Sequence, residues 1–301
     1  MRILERPAPT VLDPSSVTRT EVVRPAMCGH NSLFAGQIGD WTWDAVSELC
    51  GVDVLRARTA AGDPTYLSFY YYRIRGGRAF HLRTPSFGDT LRITTRLYDF
   101  GSESVLALHR IDRGDDSLRV ENLNRWISRG GGTSNETLVR ASPVGFTHRH
   151  LPTLPADRSP RVACGTARTA LTFLPDTRYV DASPPRRLRY PVDPSRDLNG
   201  VGLLYFASYF SIVDRALLDL YRGLGRGDTA FLDRVVVDQQ LCYLGNADAD
   251  CVIAIDVRHR TDRADPGREV VDVVLRDSRT DRLLAVCTLH LLTTPSDGRH
   301  P

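Results

Sequence analysis

The chain alternates between two hydrophobic periods. Short apolar and β-branched runs stand at 18–27 (TRTEVVRPAM), 65–74 (TYLSFYYYRI), 89–100 (DTLRITTRLYDF), 104–113 (SVLALHRIDR) and 138–148 (LVRASPVGFTH). Each run predicts a strand with one buried face. Between the first two lies CGHNSLFAGQIGDWTWDAVSELCG, whose apolar positions predict a helix over residues 31–49. The order then returns. A strand at 185–193 leads into a polar start and an apolar helix predicted over 199–222, followed by strands at 229–244, 251–261, 269–280 and 283–295. Setting His30 opposite Val201 brings Gly36 opposite Ala207 without a gap. Duplication of one α+β unit accounts for this order. The segment SPVGFTHRHLPTLPADRSPR (142–161), with four prolines, reads as the joint, so the expected halves are residues 1–150 and 151–301.

The helices explain the architecture. Glycine costs about 1 kcal/mol against alanine in a helix interior, yet Gly36 and Gly39 stand inside the first one. A helix enclosed by a sheet should be apolar all round, as GVGLLYFASYFSIV is. In such crowding, glycine lets a second backbone or a ligand come close. The expectation is an antiparallel sheet wrapped around a long central helix, twice over.

Composition narrows the chemistry. All 39 basic residues are arginine, so Schiff-base lysines and lysine-bearing phosphate loops are excluded. The net charge of +3 gives no sign of a nucleic-acid partner. The six cysteines form no CxxC pair and no zinc-ligand spacing, which predicts reduced thiols, no metal and a cytoplasmic protein. No apolar stretch approaches the about 20 residues that span a bilayer, so no membrane association is expected. Cys28 beside His30 is either a nucleophile pair or, by the commoner reading, a buried thiol.

GHNSLFAGQIGDWTW, GDPTYLSFYYYRIRG and DLNGVGLLYFASYFSIVD together resemble the bifunctional acyltransferase/decarboxylase family of leinamycin-type polyketide biosynthesis. These are LnmK-like proteins of double (tandem) hot-dog fold, and the likeness extends over residues 18–295. The resemblance implies loss of CO2 from methylmalonyl-CoA and transfer of the propionyl group to the phosphopantetheine thiol of an acyl carrier protein. It implies no cofactor beyond the coenzyme A thioester substrate. The family's reactive tyrosine falls on Tyr66, with Tyr70, Tyr71 and Tyr72 as neighbours onto which the match could slip. A homodimer is a further expectation.

The residues offer what such chemistry needs. Decarboxylation leaves an enolate whose oxygen requires donors. Unpaired N–H groups of a pre-helix turn can supply them, which nominates Gly29, His30, Asn31 and Ser32, with Gly39 and Thr65 beside the thioester. The departing carboxylate needs no cation; Phe69, Tyr70 and the tryptophans Trp41 and Trp43 could wall it. A free phenol ionises near pH 10, so a nucleophilic Tyr66 needs His30 or helix N–H groups. A milder role, as acid or hydrogen-bond donor, is the alternative, and a packed ring is the bland one. Asp40 is the candidate base of a hot-dog thioesterase or dehydratase, and otherwise a structural carboxylate. Asp197 and Asn199 read as an N-cap pair for the second helix, with Asn199 and Gly200 against the pantetheine arm. Arg73, Arg75 and Arg78 could meet phosphates, although a solvated surface is the default. A non-catalytic acyl-binding module is the remaining reading.

Overall fold

The computed structural model describes residues 10–29, 32–130, 132–154 and 159–292. In chain order these form β1 (Thr10–Asp13), β2 (Ser16–Val22), α1 (Leu33–Cys50), β3 (Tyr66–Arg75), β4 (Thr90–Asp99), β5 (Ser104–Arg113), β6 (Asp116–Ser128) and β7 (Val139–Arg140). There follow α2 (Pro160–Ala170), β8 (Tyr179–Asp181), β9 (Arg186–Pro191), α3 (Phe206–Gly223), α4 (Asp228–Leu232), β10 (Val235–Tyr243), β11 (Val252–Asp262), β12 (Arg268–Asp277) and β13 (Leu283–Leu292).

Every strand pairing is antiparallel, and the halves repeat one topology. The spatial order is β2-β4-β5-β6-β3 in the first half and β9-β11-β12-β13-β10 in the second. In both, the strand after the helix ends up at the far edge of its half. Those two edge strands, β3 and β10, pair with each other from Tyr71↔Cys242 to Arg75↔Asp238. One continuous 13-stranded sheet results. Both long helices pack on the same face of it, sharing a core that includes Phe34, Ile38 and Trp41 of α1 and Phe206, Phe210 and Leu217 of α3. The joint region carries α2, which lies on the opposite face. Its Cys164 and Ala167 cover Tyr71, Leu123, Cys242 and Val286 across the β3–β10 seam.

Several expectations are corrected. The second helix starts at Phe206, not at 199, because residues 198–204 form a tight turn. Leu198 bridges Leu204, and the Asn199 carboxamide oxygen accepts from the Val201 and Leu203 N–H groups at 3.2 and 3.0 Å. Residues 229–232, expected in a strand, belong to α4. The strand expected over 138–148 shrinks to Val139–Arg140. The helices are not enclosed on all sides: Leu33, Asp40, Asp44 and Glu48 form an exposed stripe along α1. The 13-residue β6 escaped the hydrophobic pattern altogether. Its inward positions do alternate, but they include Asn122 and Asn124, both fully buried.

Those asparagines belong to a buried polar cluster under α1. Thr42 Oγ1 donates to the Ile38 carbonyl at 3.0 Å, so its oxygen is left to accept from His109 Nε2 (2.9 Å) and Asn122 Nδ2 (3.0 Å). His109 Nδ1 then accepts from Thr95 Oγ1 at 2.8 Å. This pattern holds a neutral imidazole, and burial lowers the His109 pKa to about 3. Burial and neighbouring arginines likewise lower His81 to about 4. Both folded values lie below the ordinary histidine value. The unfolded chain therefore binds more protons, and stability present above about pH 6.5 is lost as pH falls towards 3–4. Urea midpoints should drop between pH 7 and pH 4.5, and a His109→Gln variant should show a shallower drop. An equal drop in both proteins would refute this role for His109.

Candidate functional site

A cleft of about 580 Å³ opens where β3 runs past the end of its pairing with β10. Residues 66–70 of β3 form one wall, without a strand partner on that side among the described residues. Leu67 and Phe69 occupy alternate positions there. Their partners across the ladder, Trp126 and Asn124, belong to β6. The Leu67 carbonyl points away from β6 and accepts from the Trp43 indole at 3.1 Å. A register shift between Phe69 and Tyr71 marks a β-bulge at Tyr70. The bulge sets Tyr70 beside Tyr71 on the α2 side of the sheet, just where β3 leaves β10. The opposite wall is the turn at 199–205 and the first turn of α3. Trp43, Phe69, Phe206, Tyr209 and Tyr243 close the inner end.

Most polar groups around this cleft are already used. Tyr209 donates to the Gly245 carbonyl at 2.7 Å and Tyr243 to the Phe206 carbonyl at 3.2 Å. Burial raises both phenols above their ordinary range. Tyr66 differs: it is half-buried on the cleft wall, and its hydroxyl makes no hydrogen bond among the described residues. The N–H groups of Phe206 and Ala207 open α3, where no side chain caps the helix. The first N–H groups of a helix have no intrahelical partner. Tyr66 and Phe206, the first residue of α3, both line this apolar, aromatic-ended cleft.

The mouth is clamped by residues that the sequence reading did not single out. Asn135, 3% exposed, donates from Nδ2 to the Gly202 and Ala247 carbonyls at 2.8 and 3.0 Å and accepts from Arg129 at 3.0 Å. Asp248 accepts from the Ser134 hydroxyl and the Asn135 N–H, each at 2.7 Å. A loop of the first half is thereby tied to two loops of the second. Asn135→Ala strands buried carbonyls and should cost about 1–3 kcal/mol. It should also weaken ligand binding in the cleft; a variant with unchanged unfolding midpoint and affinity would refute the clamp. Its sequence signal, a lone Asn in GGGTSNETL, was indistinguishable from an ordinary turn residue.

The residues nominated from sequence divide accordingly. Tyr66, Asn199 and Gly200 line the cleft. Asn199 is committed to its own turn through the bonds given above. His30 and Asn31 lie outside the described residues. Gly29 and Ser32 are not among the cleft walls, and the Ser32 hydroxyl accepts from Ser211 of α3 at 2.8 Å. Gly39 is a packing residue, since a methyl group there would overlap the Phe206 ring. Gly36 is similar: an added carbon would sit 3.1 Å from the Tyr205 hydroxyl. The glycines admit the other helix, not a ligand. Thr65 is 2% exposed, with its hydroxyl 2.7 Å from the Ala141 carbonyl and 3.0 Å from that of Ile127, so it fixes the start of β3. Trp41 is in the core, whereas Trp43 and Phe69 do wall the cleft. Tyr71 and Tyr72 are buried and bonded to Gln240 and the Ala35 carbonyl. Asp40 is exposed on α1 and outside the cleft walls. Asp197, 1% exposed, accepts from Tyr190 and the Asp193 N–H at 2.8 Å, which organises the turn before α3. Cys28 is buried, its thiol donating to the Arg24 carbonyl at 3.6 Å. Arg73 is spent on Asp238 at 3.0 and 2.6 Å, at the far end of β3.

Two copies of the order strand–helix–four strands, joined edge to edge with both helices on one face, define a double hot-dog protein. The LnmK N-terminal hot-dog-fold domain matches residues 18–117 and 112–175, just over half of the sequence, and the chain belongs to that family. No curated protein matches it in sequence. Among solved structures it resembles a protein from Lactobacillus plantarum described as an oleoyl thioesterase, with TM-score 0.62, 12% identity, and 93% of this chain and 96% of that one covered. It also resembles the 12:0-ACP thioesterase of Umbellularia californica, with TM-score 0.57, 12% identity and coverage of 93% and 94%. An acyl-ACP thioesterase from Bacteroides thetaiotaomicron gives TM-score 0.56, 9% identity and coverage of 92% and 97%. At such identities the likeness is one of fold. Among the described residues, no helix is long and apolar enough to cross a membrane.

Proposed function

We propose that this protein decarboxylates a malonyl-type acyl-CoA, methylmalonyl-CoA in the first instance, and transfers the resulting propionyl group to an acyl carrier protein, with Tyr66 at the reaction centre. The observation that carries the reading is an apolar cleft lined both by Tyr66, whose hydroxyl makes no hydrogen bond among the described residues, and by Phe206 at the uncapped start of α3. The family, and the likeness of the fold to acyl-ACP thioesterases, support a thioester ligand. In the first step the bond to the carboxylate breaks and its electron pair moves towards the thioester oxygen. CO2 leaves, and a proton returns to the α-carbon. On this reading the N–H groups that open α3 hold the developing oxyanion, and Tyr66 donates a hydrogen bond or the proton. The carrier thiol then attacks the thioester carbonyl, directly or through an ester on Tyr66, and coenzyme A departs. The reading calls for neither a metal nor an organic cofactor, so EDTA should leave the rate unchanged.

Hydrolysis is the second reading, favoured by the likeness of the fold to those thioesterases. The carboxylate on the cleft wall is Glu136, which is held by Arg282 at 3.3 Å, and this counts against a free general base. Incubation with methylmalonyl-CoA separates the two. Propionyl-CoA or propionyl-carrier with CO2 is expected, whereas free methylmalonate and coenzyme A would establish hydrolysis instead.

A further inference from the structure

Arg125 is the unmatched charge of the cleft. It lies on β6 directly across from Ser68 of β3, with Tyr66↔Ile127 the next pair along the same face. Its guanidinium carbon sits 4.5 Å over the Tyr70 ring. The side chain is half-buried, and its Nε is buried without a hydrogen-bond partner. It forms no ion pair among the described residues. Other withdrawn arginines have carboxylates: Arg260 with Asp272 at 2.6 Å, Arg226 with Glu269 at 2.8 Å and Arg234 with Asp214 at 2.5 Å. The second cation of the cleft, Arg282, holds Glu136 and the Asn246 carbonyl at 2.8 Å. Around Arg125 stand two more arginines, Arg140 and Arg161, with Glu103 the neighbouring acid. Burial first, and then these like charges, lower its pKa. A cation drawn from water without a counter-ion is unfavourable, and a planar guanidinium fits carboxylate and phosphate oxygens alike.

We infer that Arg125 receives an anionic oxygen of the ligand held in the cleft. This rests on the acyl-thioester reading of the site. Two sources share the chemistry, a carboxylate on the acyl group or a phosphate on the pantetheine arm. The position of Arg125 beside Tyr66 favours the acyl carboxylate. An ion pair present in the bound substrate and lost as CO2 leaves lowers KM and lowers kcat with it, so Arg125 is a substrate-binding residue.

The test compares dissociation constants of succinyl-CoA, butyryl-CoA and butyryl-pantetheine, none of which can lose CO2 as a malonyl group does. The wild-type protein is expected to prefer succinyl-CoA over butyryl-CoA by about 10-fold or more, as for a charge-assisted bond. Arg125→Gln should erase that preference and leave the ratio of butyryl-CoA to butyryl-pantetheine unchanged. Arg125→Lys, which keeps the charge and loses the fork, should fall between. Loss of the second ratio instead would assign the anion to phosphate and support the same site. If the wild-type protein shows neither preference, or if Arg125→Gln leaves both ratios intact, the inference is overturned. Failure of the decarboxylase reading shows separately, as absence of CO2 release from methylmalonyl-CoA by the wild-type protein.

Discussion

Tyr66→Phe should lower the rate of CO2 release from methylmalonyl-CoA by about 10²-fold or more, the effect of removing one donor aimed at a developing oxyanion. The fold should survive. The Tyr66 hydroxyl makes no hydrogen bond among the described residues, so its loss strands no partner there, and the ring can keep its place against Ile127 across the ladder. If Tyr66 is instead the nucleophile, the same variant should abolish transfer to the carrier, and mass spectrometry should trap a propionyl ester on the wild-type residue. The two outcomes share one requirement, a large loss of activity with an unchanged unfolding midpoint. A well-folded Tyr66→Phe protein with an unchanged rate would remove Tyr66 from the mechanism. Tyr70 would then be the remaining β3 phenol on the cleft wall.

Gly39→Val should be the most damaging small substitution in α1. Replacing glycine in a helix interior ordinarily gains up to about 1 kcal/mol. Here the new side chain runs into Phe206, whose ring is itself held 4.2 Å from that of Phe69 and 5.9 Å from that of Trp43. Overpacking costs about 1–3 kcal/mol, sometimes more, so the clash outweighs the propensity gain. Because Phe206 also walls the cleft, ligand affinity should fall with stability. Gly165 in α2 is the control: an added carbon there meets nothing within 4 Å, and Gly165→Ala should stabilise by about 0.5–1 kcal/mol. Equal effects at the two glycines in urea unfolding would rule out the helix-crossing explanation.

Much of this fold was legible in the pattern of the chain, and the exceptions have physical causes. α1 and strands β3, β4 and β5 follow their hydrophobic periods to within about two residues. β6 did not, because Asn122 and Asn124 take core positions whose cost is met by partners on α1 and β5, invisible along the sequence. The start of α3 was misplaced because LNGVGLLY is apolar enough to read as helix. Asn199 and Asn246 hold it as a turn instead, Asn246 accepting from the Leu204 N–H at 2.9 Å. The small residues of α1 were recognised as signs of close approach, but their partners, Tyr205, Phe206 and Ala207, lie far along the chain, so the helix crossing was unreadable. The same distance hid the site. Tyr66 was nominated by family resemblance, whereas residues 199–206, which share the cleft walls with it, belong to the second half. Arg125 and Asn135 gain meaning only when the two halves are joined.

A thioester seated between Tyr66 and the first turn of α3 is the centre of the proposed reaction. A crystal structure with butyryl-CoA, which lacks a carboxylate to lose, tests that most directly. The acyl group is expected against Phe69 and Phe206, with the thioester oxygen within hydrogen-bonding distance of the Phe206 or Ala207 N–H and near the Tyr66 hydroxyl. A thioester bound instead at the turn before α1, with the cleft empty, would contradict the account.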